Sequence, residues 1–418
     1  MKNLTLAWIY LSAGLIAMGC RRDGKGAQAL VGKSAQAQVA ASAPAIAGED
    51  LAGESGHGNG SLSYARVFSM EHRRDTTVLQ VHKPWQGSKA EFTYLLVPAK
   101  ADSSGTTGPK SHASVSASGI MVVPVPVTRA VSLTTTNLRH LEWVGALDAL
   151  VGLGGGRYVC SPEIRARLKS GRIRDVGEDV RLDLESVMAL KPQAVFTYVV
   201  GNSSDGGLAK LAEAGIPAIV EGSYMEETPL GRAEWIKFTA AFFGKEAGAD
   251  SVFAVVDSSY RALAALARKS AHRPTVMVGA PFGGAWWMPG GHTYVARLLA
   301  DAGADYPWAS DTTRGSLNLD MEAVLGRSAE AEVWLNAGDW RDLADAKEKD
   351  PRNALFRAWK TGRVYTNDAV RCEGGGRDFF ETGATRPDWI LADLISILHP
   401  ELLPGYRLRW YRRLPGPV

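Results

Sequence analysis

Cysteine is nearly absent from this chain: there are three in 418 residues, namely Cys20, Cys160 and Cys372. So few exclude a disulfide-stapled scaffold, and none of them lies in a recognisable nucleophile motif. Histidine is almost as scarce, at eight, and His292 has no HxxH or HxxxH partner to give metal-ligand spacing. HExxH, GxSxG and GxxxxGK[ST] are all missing. "GLGGGRY" at 152–158 does not complete GxGxxG before a helix with a suitably placed acid. Zinc protease, serine hydrolase and nucleotide-binding readings therefore lose their motifs. A net charge of +3, with scattered Lys and Arg, gives no basic stripe for nucleic acid. One apolar run, Leu4 to Met18, is too short for a membrane span. From Arg21 to Ser63 there is no aromatic residue. Such a segment cannot bury enough apolar area to offset its ordering entropy.

These absences frame what is present. A basic start, the apolar run and Gly19 read as an export signal over residues 1–19. "LIAMGC" resembles the lipobox of bacterial lipoproteins, in which Cys20 takes the lipid and becomes the first mature residue. Residues 20–63 then read as a flexible tether, and folding is expected to begin near Tyr64. The remaining chain is long enough for two ordinary domains, and 45% hydrophobic residues can fill their cores. In an exported body Cys160 and Cys372 can pair, though their spacing says nothing of geometry.

Along the chain, "TTVLQVHKPWQGSKAEFTYLLV" gives two strand-like runs around a turn, an extra hairpin at the start of the folded part. "MVVPVPV" suits an edge because its prolines cannot donate to a ladder. "LDLESVMALKPQAVFTYVV" and "NLDMEAVLGRSAEAEVWLN" each run an amphipathic helix into a buried strand. Helices alternating with short apolar strands predict an α/β fold, two Rossmann-like lobes with largely parallel sheets. Their expected extents are 64–228 and 271–418. Residues 229–270 keep helical periodicity and predict a stiff connector, which Gly244, Gly248 or the β-branched residues near Val255 could interrupt.

In open α/β sheets, ligands sit outside the carboxyl ends of the strands. "GLGGGRYVCSP" and "GAPFGGAWWMPGGHTY" both follow strand-like runs and combine glycine with aromatic area. Trp286 and Trp287 can pack in the core on opposite sides of an extended segment, or face a ligand from a loop between glycine pairs. We read them as ligand-facing. His292 reads as a polar rim or capping residue. Glu373, Asp378 and Glu381 cluster in "CEGGGRDFFETGATRPDW", where an acid pair is conceivable but solvated loop acids are the plainer reading.

From about residue 129 onward the combination resembles the helical-backbone periplasmic binding proteins of ABC importers for iron–siderophore complexes, haem and cobalamin. Its most specific elements are the two helix-to-strand phrases. Pro192–Gln193 and Ala331–Glu332 replace the more usual Pro-Asp and Ala-Asp. The resemblance implies capture between two lobes joined by a long helix, delivery to a permease served by an ATPase, and no covalent chemistry or covalent cofactor. It maps permease-docking carboxylates onto Glu185 and Glu322. An iron complex would meet Arg139, Arg157 or Arg377 through anionic groups. Cobalamin would lean on Trp286, Trp287 and Tyr158, and haem would find an axial ligand in His292 or Tyr294. A membrane-tethered monomer is expected, with no protein-held metal and no nucleic-acid partner. The alternatives are an exported hydrolase or lyase using acids near Glu381, and an envelope protein that binds a partner protein.

Overall fold

The structure, a computed structural model, describes residues 62–99, 114–115, 120–178, 181–199 and 207–416. The export signal, Cys20 and nearly all of the tether lie outside the described residues. The described chain enters against two buried carboxylates. Glu234 accepts the backbone N–H groups of Ser63, Tyr64 and Ala65 at 2.8 to 2.9 Å, and Glu226 accepts those of Arg66 and Val67. Five otherwise unmatched donors are thereby satisfied where a sheet has not yet begun.

In place of a simple hairpin, a five-stranded sheet follows. Phe68–Arg73, Thr76–His82 and Glu91–Pro98 form an antiparallel meander, then Met121–Val125 pairs parallel and Ser114–Val115 closes the edge. The last strand covers only Met121 and Val122, so Pro124 needs no N–H on that side. Leu79, Val81, Tyr94 and Leu96 turn inward, and Tyr94 packs edge-on to Phe238 and Phe242.

The first lobe is built on a parallel sheet of order Ala218–Glu221, Ala194–Tyr198, Ala130–Ser132, Leu150–Leu153, Arg174–Asp175. Ser161 and Asp183 cap the helices Pro162–Lys169 and Leu184–Ala189 through their side-chain oxygens, the usual answer to unmatched first-turn donors. In the second lobe Val276–Val278 runs parallel to Val333–Leu335, and parallel bridges Thr275–Asp305 and Trp334–Val364 widen that sheet. The α/β, two-lobed fold is therefore present.

The connector is three helices rather than one rod. Pro229–Ala233 and Trp235–Ala241 are short and buried, and Glu246–Ala267 has 22 residues. Gly244, at φ +62°, makes the break, because that left-handed turn is open to glycine at little cost. Gly248 and Val255 stay inside the long helix. The terminal helix Pro387–Leu398 packs along it.

The tryptophan pair is not on a loop. Ala285–Pro289 is a strand held antiparallel by Pro281–Phe282 on one side and Ser316–Leu319 on the other. Alternation sends adjacent side chains to opposite faces. Trp286, 1% exposed, lies in the core, stacked on Trp334 with its indole N–H donated to Val278 O at 2.9 Å.

Candidate functional site

An apolar cavity of about 110 Å³ lies at the carboxyl ends of the second lobe's parallel strands. Val278, Leu335 and Asn367 mark those strand ends, and Trp287 and Pro289 enter from the antiparallel sheet. Asn336 is a non-glycine residue at φ +55°, a conformation asparagine tolerates. Its side chain accepts a 2.9 Å hydrogen bond from Tyr411 Oη. The helix Tyr294–Asp301, capped by Thr293, supplies Tyr294 and Leu298. Arg377, Phe379 and Phe380 approach from a strap, residues 371–386, that contains the short helix Asp378–Glu381. Arg232 comes from the first connector helix.

The two arginines set the electrostatics. Arg377 is 6% exposed, donates to Asn367 Oδ1 at 2.7 Å and pairs with Asp339. Desolvation pulls its guanidinium below the usual arginine range. Arg232 is 7% exposed and lies over the Tyr294 ring at 4.5 Å, a cation–π contact. The Nε of each is buried with no hydrogen-bond partner.

The strap is tied to the first lobe. Cys160 and Cys372 are disulfide-bonded with Cα atoms 5.2 Å apart. Glu381 accepts the backbone N–H of Cys160 at 2.6 Å and of Ser161 at 2.8 Å, beside Arg139 at 3.4 Å. A side chain at Gly374 or Gly376 would collide with the carbonyls of Arg157 or Tyr158, so the strap lies flush on the loop after Leu150–Leu153. Burial pushes the Glu381 carboxyl up to about 7, against the pull of Arg139 and the two backbone donors.

The family sequence model described as periplasmic binding protein matches residues 131–370. This chain belongs to the periplasmic binding protein family. Among relatives, an uncharacterised lipoprotein of Methanocaldococcus jannaschii is 29% identical over 299 residues, 69% of this chain and 69% of its own. A periplasmic haem-binding protein of Pseudomonas aeruginosa superposes with TM-score 0.53 at 20% identity, over 70% of this chain and 99% of that one. An Fe3+-hydroxamate transport protein of Saccharomonospora viridis gives 0.53 at 18%, over 69% and 98%. The molybdate-binding MolA of Haemophilus influenzae gives 0.53 at 19%, over 71% and 94%. At such identities the structural likeness shows the fold. Among the described residues no helix is long and apolar enough to cross a membrane.

Of the residues expected at the site of this periplasmic binding protein, Trp287, Tyr294 and Arg377 line the one cavity. Trp286 is corrected to core, for the strand alternation given above. Arg139 does not line the cavity and pairs instead with Glu142 at 2.7 Å, Asp378 at 3.3 Å and Glu381. Arg157 lies over the Tyr158 ring at 4.4 Å and pairs with Glu178 at 2.9 Å, and neither residue lines the cavity. His292 borders a smaller adjoining cavity, half exposed and 3.8 Å from Glu227. The acids of the strap do not form a facing pair: Glu373 is exposed and pairs with Arg165, while Asp378 and Glu381 meet Arg139. Glu185 and Glu322 are exposed at the second position of their helices. Glu322 also pairs with Arg352 at 2.6 Å. Among the described residues no group of three or more His, Cys, Asp or Glu is placed to hold a metal.

Sequence reasoning missed Arg232, Phe379, Phe380 and Tyr411. The two phenylalanines stand in "RDFFETG", where the acids are the more conspicuous signal. Arg232 stood in "PLGRAEW", read only as the start of the connector.

Proposed function

We propose that this periplasmic binding protein is the solute-binding component of an ABC importer, and that its cargo is a metal held in an organic chelate, of the iron–siderophore, haem or cobalamin kind. One observation carries the reading: an aromatic, arginine-bearing cavity at the carboxyl ends of parallel strands, where α/β folds take ligands. Trp287, Phe379 and Tyr294 offer ring surface to an organic shell, and Arg232 and Arg377 offer positive charge. The described donor set lacks a metal-coordinating cluster, which suits a metal that arrives already coordinated. The arginines favour an anionic iron complex over cobalamin. As described, the cavity admits only part of such a ligand, because whole-ligand pockets run to roughly 300–1,000 Å³. A bulky complex therefore enters with the strap or the lobes displaced.

Delivery follows from the surface. Glu185 and Glu322 sit at equivalent positions in the two helix-to-strand units and present one carboxylate per lobe to a permease, where charge complementarity orients docking. A lipid on Cys20 would hold the protein at the membrane. No general base is required, and Glu381 is spent on the strap. The test is uptake of radioactive iron into vesicles carrying the permease and ATPase, supplied as the complex that co-purifies with the protein. Reversing both charges, Glu185→Lys and Glu322→Lys, should abolish uptake and leave soluble binding unchanged. Unchanged uptake by the double variant would remove the docking assignment.

A further inference from the structure

Arg232 is the most informative cation in the molecule. It is 7% exposed, lines the cavity and has a buried Nε with no hydrogen-bond partner. Among the described residues no carboxylate comes into ion-pair contact with it. Its described contact is the face of Tyr294 at 4.5 Å, and a ring quadrupole is weak compensation for a desolvated guanidinium. Glu221 and His140 are titratable groups that its field reaches, and neither is in ion-pair contact with it. Glu221 feels its field, but burial holds that carboxyl above its ordinary range and one of its oxygens is itself without a partner. Buried His140 is pushed down to about 3, chiefly by burial and further by Arg232, so it adds no charge above that pH. Arg377 brings a second guanidinium to the same cavity, only partly matched by Asp339.

Buried cations persist where a counter-charge is supplied. Here the protein supplies too little of it to the cavity. A fork of guanidinium donors is matched best by a carboxylate or another planar oxyanion. The rest of the lining is aromatic and aliphatic, with Trp287, Phe379 and Phe380 beside Leu298 and Ile390. The volume, about 110 Å³, is of the order of the ~150 Å³ cavities that hold a single benzene ring.

We propose that the cavity is a subsite for an aryl carboxylate or equivalent anionic ring, with Arg232 as the residue that reads its charge. The ring is either a free aromatic acid or one arm of a larger chelate. This inference deepens the proposed function by naming the chemistry of the group seated in its cavity, and it assigns recognition to the connector rather than to either lobe alone. A residue on the connector that contacts the ligand also couples occupancy to the segment joining the lobes.

The experiment is calorimetric titration of the full-length protein with benzoate and with benzamide, a neutral isostere. Benzoate should bind at least about tenfold more tightly. Arg232→Gln should bring benzoate down to the level of benzamide, and Arg232→Lys should recover part of the difference. Circular dichroism verifies the fold of each variant, and Arg377→Gln provides a second route if Arg232→Gln fails to fold. Titration with a ferric salicylate complex and with free salicylate separates the two sources: tighter binding of the complex makes the ring one arm of a chelate, and tighter binding of the free acid makes the acid itself the cargo. Equal affinity for benzoate and benzamide, no benzoate binding at millimolar concentration, or unchanged discrimination in folded Arg232→Gln would overturn the subsite. A protein that discriminates but supports no iron uptake would sink the importer reading and leave the subsite standing.

Discussion

Trp287 faces the cavity because Trp286 does not. With the strand Ala285–Pro289 pinned on both edges, one indole goes to the Trp334–Phe356 cluster and the other lines the cavity. The two truncations should therefore separate cleanly. Trp286→Ala empties a core site and should cost about 3–5 kcal/mol in denaturant unfolding. Trp287→Ala should leave stability nearer to wild type and weaken ligand binding by tenfold or more, on the order of 1.4 kcal/mol. Similar stability losses with unchanged affinity for both variants would contradict the assignment. From sequence both rings read as ligand-facing, and that Trp286 turns into the core was not legible. That depends on register against strands distant in the chain, which local pattern does not encode. Arg232 was illegible for a related reason: an arginine in a helical run looks solvated until the fold covers it.

The elements that proved most legible were those with complete local signals. Asp183 and Asp320 cap the two helices of the helix-to-strand phrases, and the following strands Ala194–Tyr198 and Val333–Leu335 are buried, apart from Tyr198 at the rim, as their largely apolar runs require. The connector was half legible, since its helical period was plain while the break at Gly244 depended on a turn that only packing selects. The strap from Arg371 to Arg386 was legible only in the pairing open to Cys160 and Cys372. Its role comes from contacts more than two hundred residues away in sequence, the Cys160–Cys372 bond and the Glu381 hydrogen bonds to Cys160 and Ser161. Those contacts carry a pH signature. The Glu381 carboxyl is raised by burial from 4.5 to about 7, so between those values the folded protein holds a proton that the unfolded chain has released. Its contribution to stability is present in full below the unfolded value and is lost as pH rises through the folded one. Over that window wild type should lose on the order of 3 kcal/mol relative to Glu381→Gln. Parallel stability profiles for the two proteins would show that Glu381 does not titrate there.

At the scale of the whole molecule, the parts converge on capture. The two lobes are bridged by a connector that begins at the cavity with Arg232 and by a strap that reaches it with Arg377, Phe379 and Phe380. The connector and the strap thus end on the same small volume. The fold class and the family were readable in the sequence from the helix-to-strand repeats. The cavity was not, because its walls come from five separated stretches of chain that only the completed fold brings together. The most direct measurement is native mass spectrometry with metal analysis, on wild type and Trp287→Ala purified from their own membrane envelope. Wild type should carry a metal in an organic complex at near one equivalent per chain, and Trp287→Ala should have lost most of it. A wild-type protein free of any metal complex, or a variant that retains its full load, would contradict capture at this cavity.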